Sequence, residues 1–103
     1  MNTEKLIGIE YLEKKLGPMT VGFYLKAIRE ADEISQTQFA KKLKISRANL
    51  CDIEKGRKLL SPERAFKFAK LLKLPETTLI QLSLQDILRT AKINYKIELT
   101  KAA

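Results

Sequence analysis

The stretch ISQTQFAKKLKISRANLCDIEKG, residues 34–56, decides the fold. Ser35-Gln36-Thr37-Gln38 has the Ser-x-x-Gln form of a capping box, in which each of the two side chains satisfies a backbone N–H left unpaired at a helix start. Ile34 and Phe39 stand at the positions of the hydrophobic staple that accompanies such a box. The spacing then predicts a helix over Gln36–Leu43 burying Phe39, Ala40 and Leu43. After a turn through Lys44-Ile45, Ser46 is a second N-cap, opening a short helix over Arg47–Glu54 with Leu50 and Ile53 inward. Gly56 follows Lys55 where a left-handed residue ends a helix.

Working outward from that pair, the helical period recurs almost throughout the 103 residues, and the class read from it is all-α. Upstream, a helix over 20–31 places Val21, Leu25 and Ile28 on one stripe. An N-terminal extension, 1–19, holds a further helix over 4–16 with Ile9, Leu12 and Leu16 inward, stopped by Gly17-Pro18. Downstream, Ser61-Pro62 is a cap followed by proline at the first helical position. Phe66, Ala69 and Leu72 are the expected inward face of that helix. Leu74-Pro75 separates it from a last helix running from Glu76 to about Lys92.

The tail, 93–103, differs. Tyr95, Ile97 and Leu99 alternate with Lys96, Glu98 and Thr100, the pattern of one short strand. Either that strand pairs with its copy in a second subunit across a dimer axis, or the segment packs its apolar residues locally.

Composition bounds the function. The chain is 45% hydrophobic and 31% charged, with 20 basic and 12 acidic residues and a net charge of +8. This is a globular composition with a preference for polyanionic partners. Residues 41–58 hold seven basic side chains against Asp52 and Glu54, so that this window carries +5 of the +8. Lys67, Lys70 and Lys73, by contrast, read as lysines solvating a helix face. No apolar run approaches the roughly 18 residues of a transmembrane helix, and the first 17 residues interleave charges where a signal peptide would be continuously apolar. A cytoplasmic location without membrane contact is expected, and the single cysteine, Cys51, suits a reducing compartment. Between a redox-sensing thiol and an ordinary partly buried cysteine on the second motif helix, the second reading is preferred.

Enzyme chemistry finds no footing. Histidine is absent, one cysteine makes no metal cluster, there is no Gly-rich phosphate loop, and Asp32-Glu33 reads as a solvated turn. No cofactor or metal is expected.

Two helices joined by a tight turn, the second short and polar on one side, form a helix-turn-helix able to enter the DNA major groove. Through Ile34-Ser35-Gln36, Phe39-Ala40-Lys41-Lys42-Leu43, Ile45-Ser46-Arg47 and Ile53-Glu54-Lys55-Gly56, the sequence resembles the Cro and phage-repressor type of helix-turn-helix family. The resemblance covers residues 20–82. It implies a five-helix lambda-repressor-like DNA-binding domain, here over 20–92, with the N-terminal helix and the C-terminal strand as additions. One residue departs from the pattern: Lys44 stands where the family often has glycine at positive φ, a conformation costing a lysine on the order of 1 kcal/mol.

The resemblance also assigns roles. Arg47, Ala48, Asn49 and Asp52 face DNA from the second motif helix. The Arg47 guanidinium pairs with O6 and N7 of guanine, or alternatively with a phosphate. Ala48 touches a thymine methyl, and Asn49 pairs with adenine if its rotamer points outward. Asp52 accepts from cytosine N4, orients Arg47, or is a solvated helix residue. Gln36 matches a family position that grips phosphate beside a helix N-terminus. Ser35 and Ser46 add hydroxyl contacts to their capping, and Lys55, Arg57 and Lys58 hold backbone phosphates. Glu54 supports the fold by pairing with a base such as Arg29 or Arg64.

The function implied is a dimeric repressor on a near-palindromic double-stranded operator. The alternative is the antitoxin of a toxin-antitoxin pair, holding a toxin through residues 4–16 or 95–99. A third reading, an adaptor that has lost DNA binding, conflicts with the basic window.

Overall fold

The computed structural model describes residues 17–102, which form five helices: α1 Val21–Ala31, α2 Gln36–Leu43, α3 Arg47–Glu54, α4 Pro62–Leu72 and α5 Glu76–Thr90. The helix expected over 4–16 lies outside the described residues. Helices α4 and α5 pack as a pair, α1 lies against α3 and α5, and α2 lies against α3 and α4. Phe39, Leu43, Leu50, Ile53, Leu60 and Leu79 are among the fully buried side chains at the centre. No helix among the described residues is long and apolar enough to cross a membrane.

The helix starts are those read from the sequence. Ser35 and Gln38 make the reciprocal capping box, and Thr20, Ser46 and Ser61 each accept a hydrogen bond from the backbone N–H three residues on. The first turn of α1 has a second, distant cap. The buried carboxylate of Asp86, on α5, accepts from the Val21 N–H at 3.0 Å and is neutralised by Arg89 at 2.9 Å. A cap supplied from 65 positions away ties α5 to the start of α1.

All five helices end alike. A residue in the left-handed region is followed by one whose N–H reaches back to a carbonyl five positions earlier, the Schellman pattern. The left-handed residues are Glu33, Lys44, Gly56, Lys73 and Lys92, with φ of 56, 59, 75, 56 and 60°. The reaching N–H groups belong to Ile34, Ile45, Arg57, Leu74 and Ile93. Lys44 therefore adopts the positive φ expected of the motif turn. Ile34, Ile45 and Leu74 pack against the core. Burying these aliphatic side chains helps offset the strain of a non-glycine residue before each of them.

Three features correct the sequence reading. On α4 the buried residues are Ala65, Phe68 and Ala69, whereas Phe66 is 38% exposed with the Lys70 ammonium 4.5 Å from its ring centroid. A strict three-residue step drifts about 60° around a helix at each repeat, so Phe66 and Leu72 cannot share one inward stripe. The last helix stops at Thr90, short of Lys92, because Lys92 is the left-handed residue of its cap. The expected strand in 93–103 is not formed among the described residues: 93–102 has no regular secondary structure. The segment is tethered by Gln85 of α5, which bonds to the Tyr95 carbonyl and the Ile97 N–H.

Candidate nucleic-acid interface

The exposed side of the α2–α3 pair is anchored from beneath by an ion pair. Arg29, near the end of α1, grips Glu54 through two parallel hydrogen bonds, Nε to Oε2 at 2.8 Å and Nη2 to Oε1 at 3.0 Å. Its remaining nitrogen donates to the Ile34 carbonyl at 3.2 Å, just before the capping box. The Glu54 side chain is almost entirely buried. Burial alone pushes its carboxyl up, but hydrogen bonds from Arg29 and Gln36 and the positive charge of Arg29 bring it below its ordinary value. Arg29 is raised in turn, first by its hydrogen bond to Glu54. Of the two partners expected for Glu54, Arg29 is the one found; Arg64 instead lies over the Phe68 ring at 5.4 Å.

From Glu54 the network reaches the surface through Gln36. The Gln36 amide donates from Nε2 to Glu54 Oε1 at 3.0 Å and accepts at Oε1 from Arg47 Nη1 at 3.3 Å. Sequence reasoning assigned Gln36 to phosphate alone and missed this bridging role, because its partner Glu54 lies 18 positions away. Arg47 and Ala48 are exposed in the first turn of α3, on the side away from the buried Leu50, Ile53 and Glu54.

Asn49 is half-buried, and its Oδ1 is buried without a hydrogen-bond partner among the described residues. An unpaired buried carbonyl costs roughly 1–3 kcal/mol. The Ser35 and Ser46 hydroxyls accept the capping N–H groups of Gln38 and Asn49. Ser35 also directs its O–H toward Gln38 Oε1 at 3.3 Å.

At the other end of α3, Asp52 pairs with Arg57, 2.9 Å from Nη2, rather than with Arg47. The Arg57 Nη2 also lies 3.9 Å from Cys51 Sγ. Lys55 and Lys58 are exposed around the turn at Gly56. The ten sequence-expected residues thus fall into three places: Ser46, Arg47, Ala48 and Asn49 at the start of α3 with Gln36 bonded to Arg47 beside them, Asp52, Lys55, Arg57 and Lys58 at its end, and Ser35 at the N-cap of α2.

Neither a curated protein nor a solved structure matches the chain. A family model does: the one described as Helix-turn-helix matches residues 25–79, more than half of the sequence, from within α1 to the first turn of α5. The two motif helices, their left-handed turn and the Arg29–Glu54 support beneath them all lie within the matched stretch. The chain belongs to the Cro and phage-repressor type of helix-turn-helix family, whose members are DNA-binding transcriptional regulators.

Proposed function

We propose that the chain is a dimeric repressor that lays α3 in the major groove of a near-palindromic operator. The observation that carries this is the position of Arg47. An exposed guanidinium stands at the start of α3, steadied by Gln36, which is itself held by a buried ion pair. Orientation by a fixed neighbour is what bidentate recognition of guanine O6 and N7 needs. Ala48 and an outward-turned Asn49 extend the same reading surface to a thymine methyl and an adenine.

Lys55, Arg57, Lys58 and the Ser46 hydroxyl supply the phosphate contacts that fix register. Ser35 and Gln36 lie at the N-terminus of α2, where helix N–H groups and the dipole favour a phosphate. Asp52 restrains Arg57 in the free protein, and a phosphate competes with it for the same guanidinium. Repression follows sterically, by occlusion of polymerase, with half-sites about 34 Å apart on one face of the duplex.

The test is fluorescence-anisotropy binding of the purified chain to the DNA upstream of its own reading frame, against a scrambled duplex, across a salt series. Salt-sensitive binding with a specificity ratio of about 10³ or more supports an autoregulatory repressor. Weak and equal binding to both duplexes sinks that reading in favour of a partner-dependent complex, the antitoxin among them.

A further inference from the structure

The carboxylate of Asp86 joins two helices that are far apart in sequence. Its side chain is 8% exposed; Oδ2 accepts from the Val21 N–H at 3.0 Å and Oδ1 from Arg89 at 2.9 Å. A buried carboxylate is a weak source of stability, because its desolvation offsets much of what its partners return. The other cap of α1, Thr20, accepts from the Phe23 N–H, but it belongs to the same chain segment and moves with the helix. Asp86, on α5, instead fixes the start of α1 against the rest of the domain.

From that fixed start, α1 reaches the end of α3 twice. Gly22 meets α3 backbone to backbone: a Cβ there would overlap the Ile53 carbonyl oxygen and lie 3.2 Å from the Glu54 Cα. Further along α1, about 10 Å by helix rise, Arg29 grips the Glu54 carboxylate at 2.8 Å. Close-packed backbones leave no slack, so a displacement of the first turn of α1 is passed to Ile53 and Glu54. Glu54 in turn accepts from Gln36 Nε2 at 3.0 Å, and Gln36 Oε1 accepts from Arg47 at 3.3 Å. The series of contacts is unbroken from α5 to the start of α3, and contiguous packed and hydrogen-bonded groups are what carry coupling between separated sites.

We propose that Asp86 is a positioning residue for DNA recognition: by capping α1 from α5 it sets the orientation of the Arg47 guanidinium, which it does not touch. This rests on the base-reading role of Arg47 given above, and the test therefore has one arm without DNA and one with it.

Without DNA, NMR of the full chain follows the Gln36 side-chain amide and the Arg47 Nε–H. Asp86→Ala should shift both signals. Asp86→Asn keeps an acceptor for the Val21 N–H and should shift them much less. Ser83→Ala is the control, since Ser83 is also buried on α5 but donates to the Ile80 carbonyl of its own helix at 2.8 Å; both signals should stay in place. If Asp86→Ala does not fold, Asp86→Glu, which moves the acceptor by one methylene, should shift the same signals.

With DNA, anisotropy on the upstream and scrambled duplexes gives the ratio of the two affinities. An unfolded fraction weakens binding to both by the same factor and cancels, so a purely structural role leaves the ratio unchanged. Asp86→Ala should lower it about twofold to thirtyfold, and Asp86→Asn should keep it near wild type. In an Arg47→Ala background, Asp86→Ala should lower it no further.

Gln36 and Arg47 signals that ignore Asp86 overturn the inference whatever the DNA result. So does Asp86→Asn if it is as damaging as Asp86→Ala, or a ratio that falls equally with and without the Arg47 side chain. A wild type that binds both duplexes equally while the signals shift overturns the DNA reading alone, because the coupling from Asp86 to Arg47 is then seen without it.

Discussion

Arg29 and Glu54, 25 residues apart, share two parallel hydrogen bonds of 2.8 and 3.0 Å, and this pair couples the stability of the domain to pH. The folded Glu54 carboxyl sits below its ordinary 4.5. A depressed carboxyl contributes stability that is fully present above the unfolded value and is lost as pH falls through the folded one. Urea unfolding from pH 7 down to pH 3 should show falling stability below about pH 4.5, with a shallower slope in Glu54→Gln. Arg29→Met strands the buried carboxylate and is expected to cost about 3–5 kcal/mol at neutral pH. Arg29→Met/Glu54→Leu should recover part of that loss; a double variant whose cost equals the sum of the two single-variant costs would show that the pair is not coupled.

Two substitutions separate reading from holding. Arg47→Ala should relax preference at one base position by about 1–3 kcal/mol, leaving affinity for random duplex little changed. Lys58→Ala should weaken operator and random DNA alike and reduce the salt slope by about 1. Anisotropy titrations on single-base operator variants decide it, since uniform losses for Arg47→Ala would reassign that residue to phosphate.

Local signals made the helix-turn-helix legible from sequence, because caps and left-handed stops depend on a few adjacent residues. Ser35 with Gln38, Ser46, Ser61-Pro62 and Gly56 each announced an end that the structure has. Long-range relationships were not legible in that way. Nothing near Asp86 in the sequence says that it caps α1, and nothing near Gln85 says that it tethers the tail. Phe66 and Phe68 differ by two positions on one helix, and only the four-residue step from Ala65 to Ala69 distinguishes the buried ring from the exposed one. At the interface, the types of side chain were readable, but their partners were not: Gln36 bridges Glu54 to Arg47, and Asp52 takes Arg57.

Gly22 is a further long-range constraint. A Cβ at this position would lie 2.0 Å from the Ile53 carbonyl oxygen, so α1 and α3 touch backbone to backbone there. Gly22→Ala gains helix propensity locally yet must push the two helices apart, with an expected net loss of about 1–3 kcal/mol. Because α3 carries the residues proposed to read bases, operator affinity should fall along with the melting temperature. A variant as stable as wild type would mean that the contact relaxes freely.

Lys44 is the counterpart, a position where glycine should help. Its φ of 59° strains a lysine, and Lys44→Gly relieves that strain while adding entropy to the unfolded chain. The balance should favour the variant by about 0.5–1 kcal/mol in urea unfolding. Gly56→Ala, at a φ of 75° with open space around it, should lose about 1 kcal/mol for the converse reason. Equal and opposite signs to these would place the strain elsewhere in the turn.

Asp52 holds Arg57 at the end of α3, with both side chains substantially exposed, so the pair contributes little to folding, and on the proposed function its effect belongs to binding. Asp52→Asn removes one negative charge from the basic window and frees the guanidinium for phosphate. Random duplex should be bound more tightly than by wild type at low salt, with a steeper salt dependence, while the melting temperature stays close to that of wild type. The operator has a second contribution. If Asp52 accepts from a cytosine N4, the variant loses preference at that one base pair even as its overall affinity rises. If it acts only through Arg57, operator and random duplex gain equally. Parallel salt titrations on the two duplexes therefore distinguish a base-reading aspartate from one that restrains a phosphate-binding arginine.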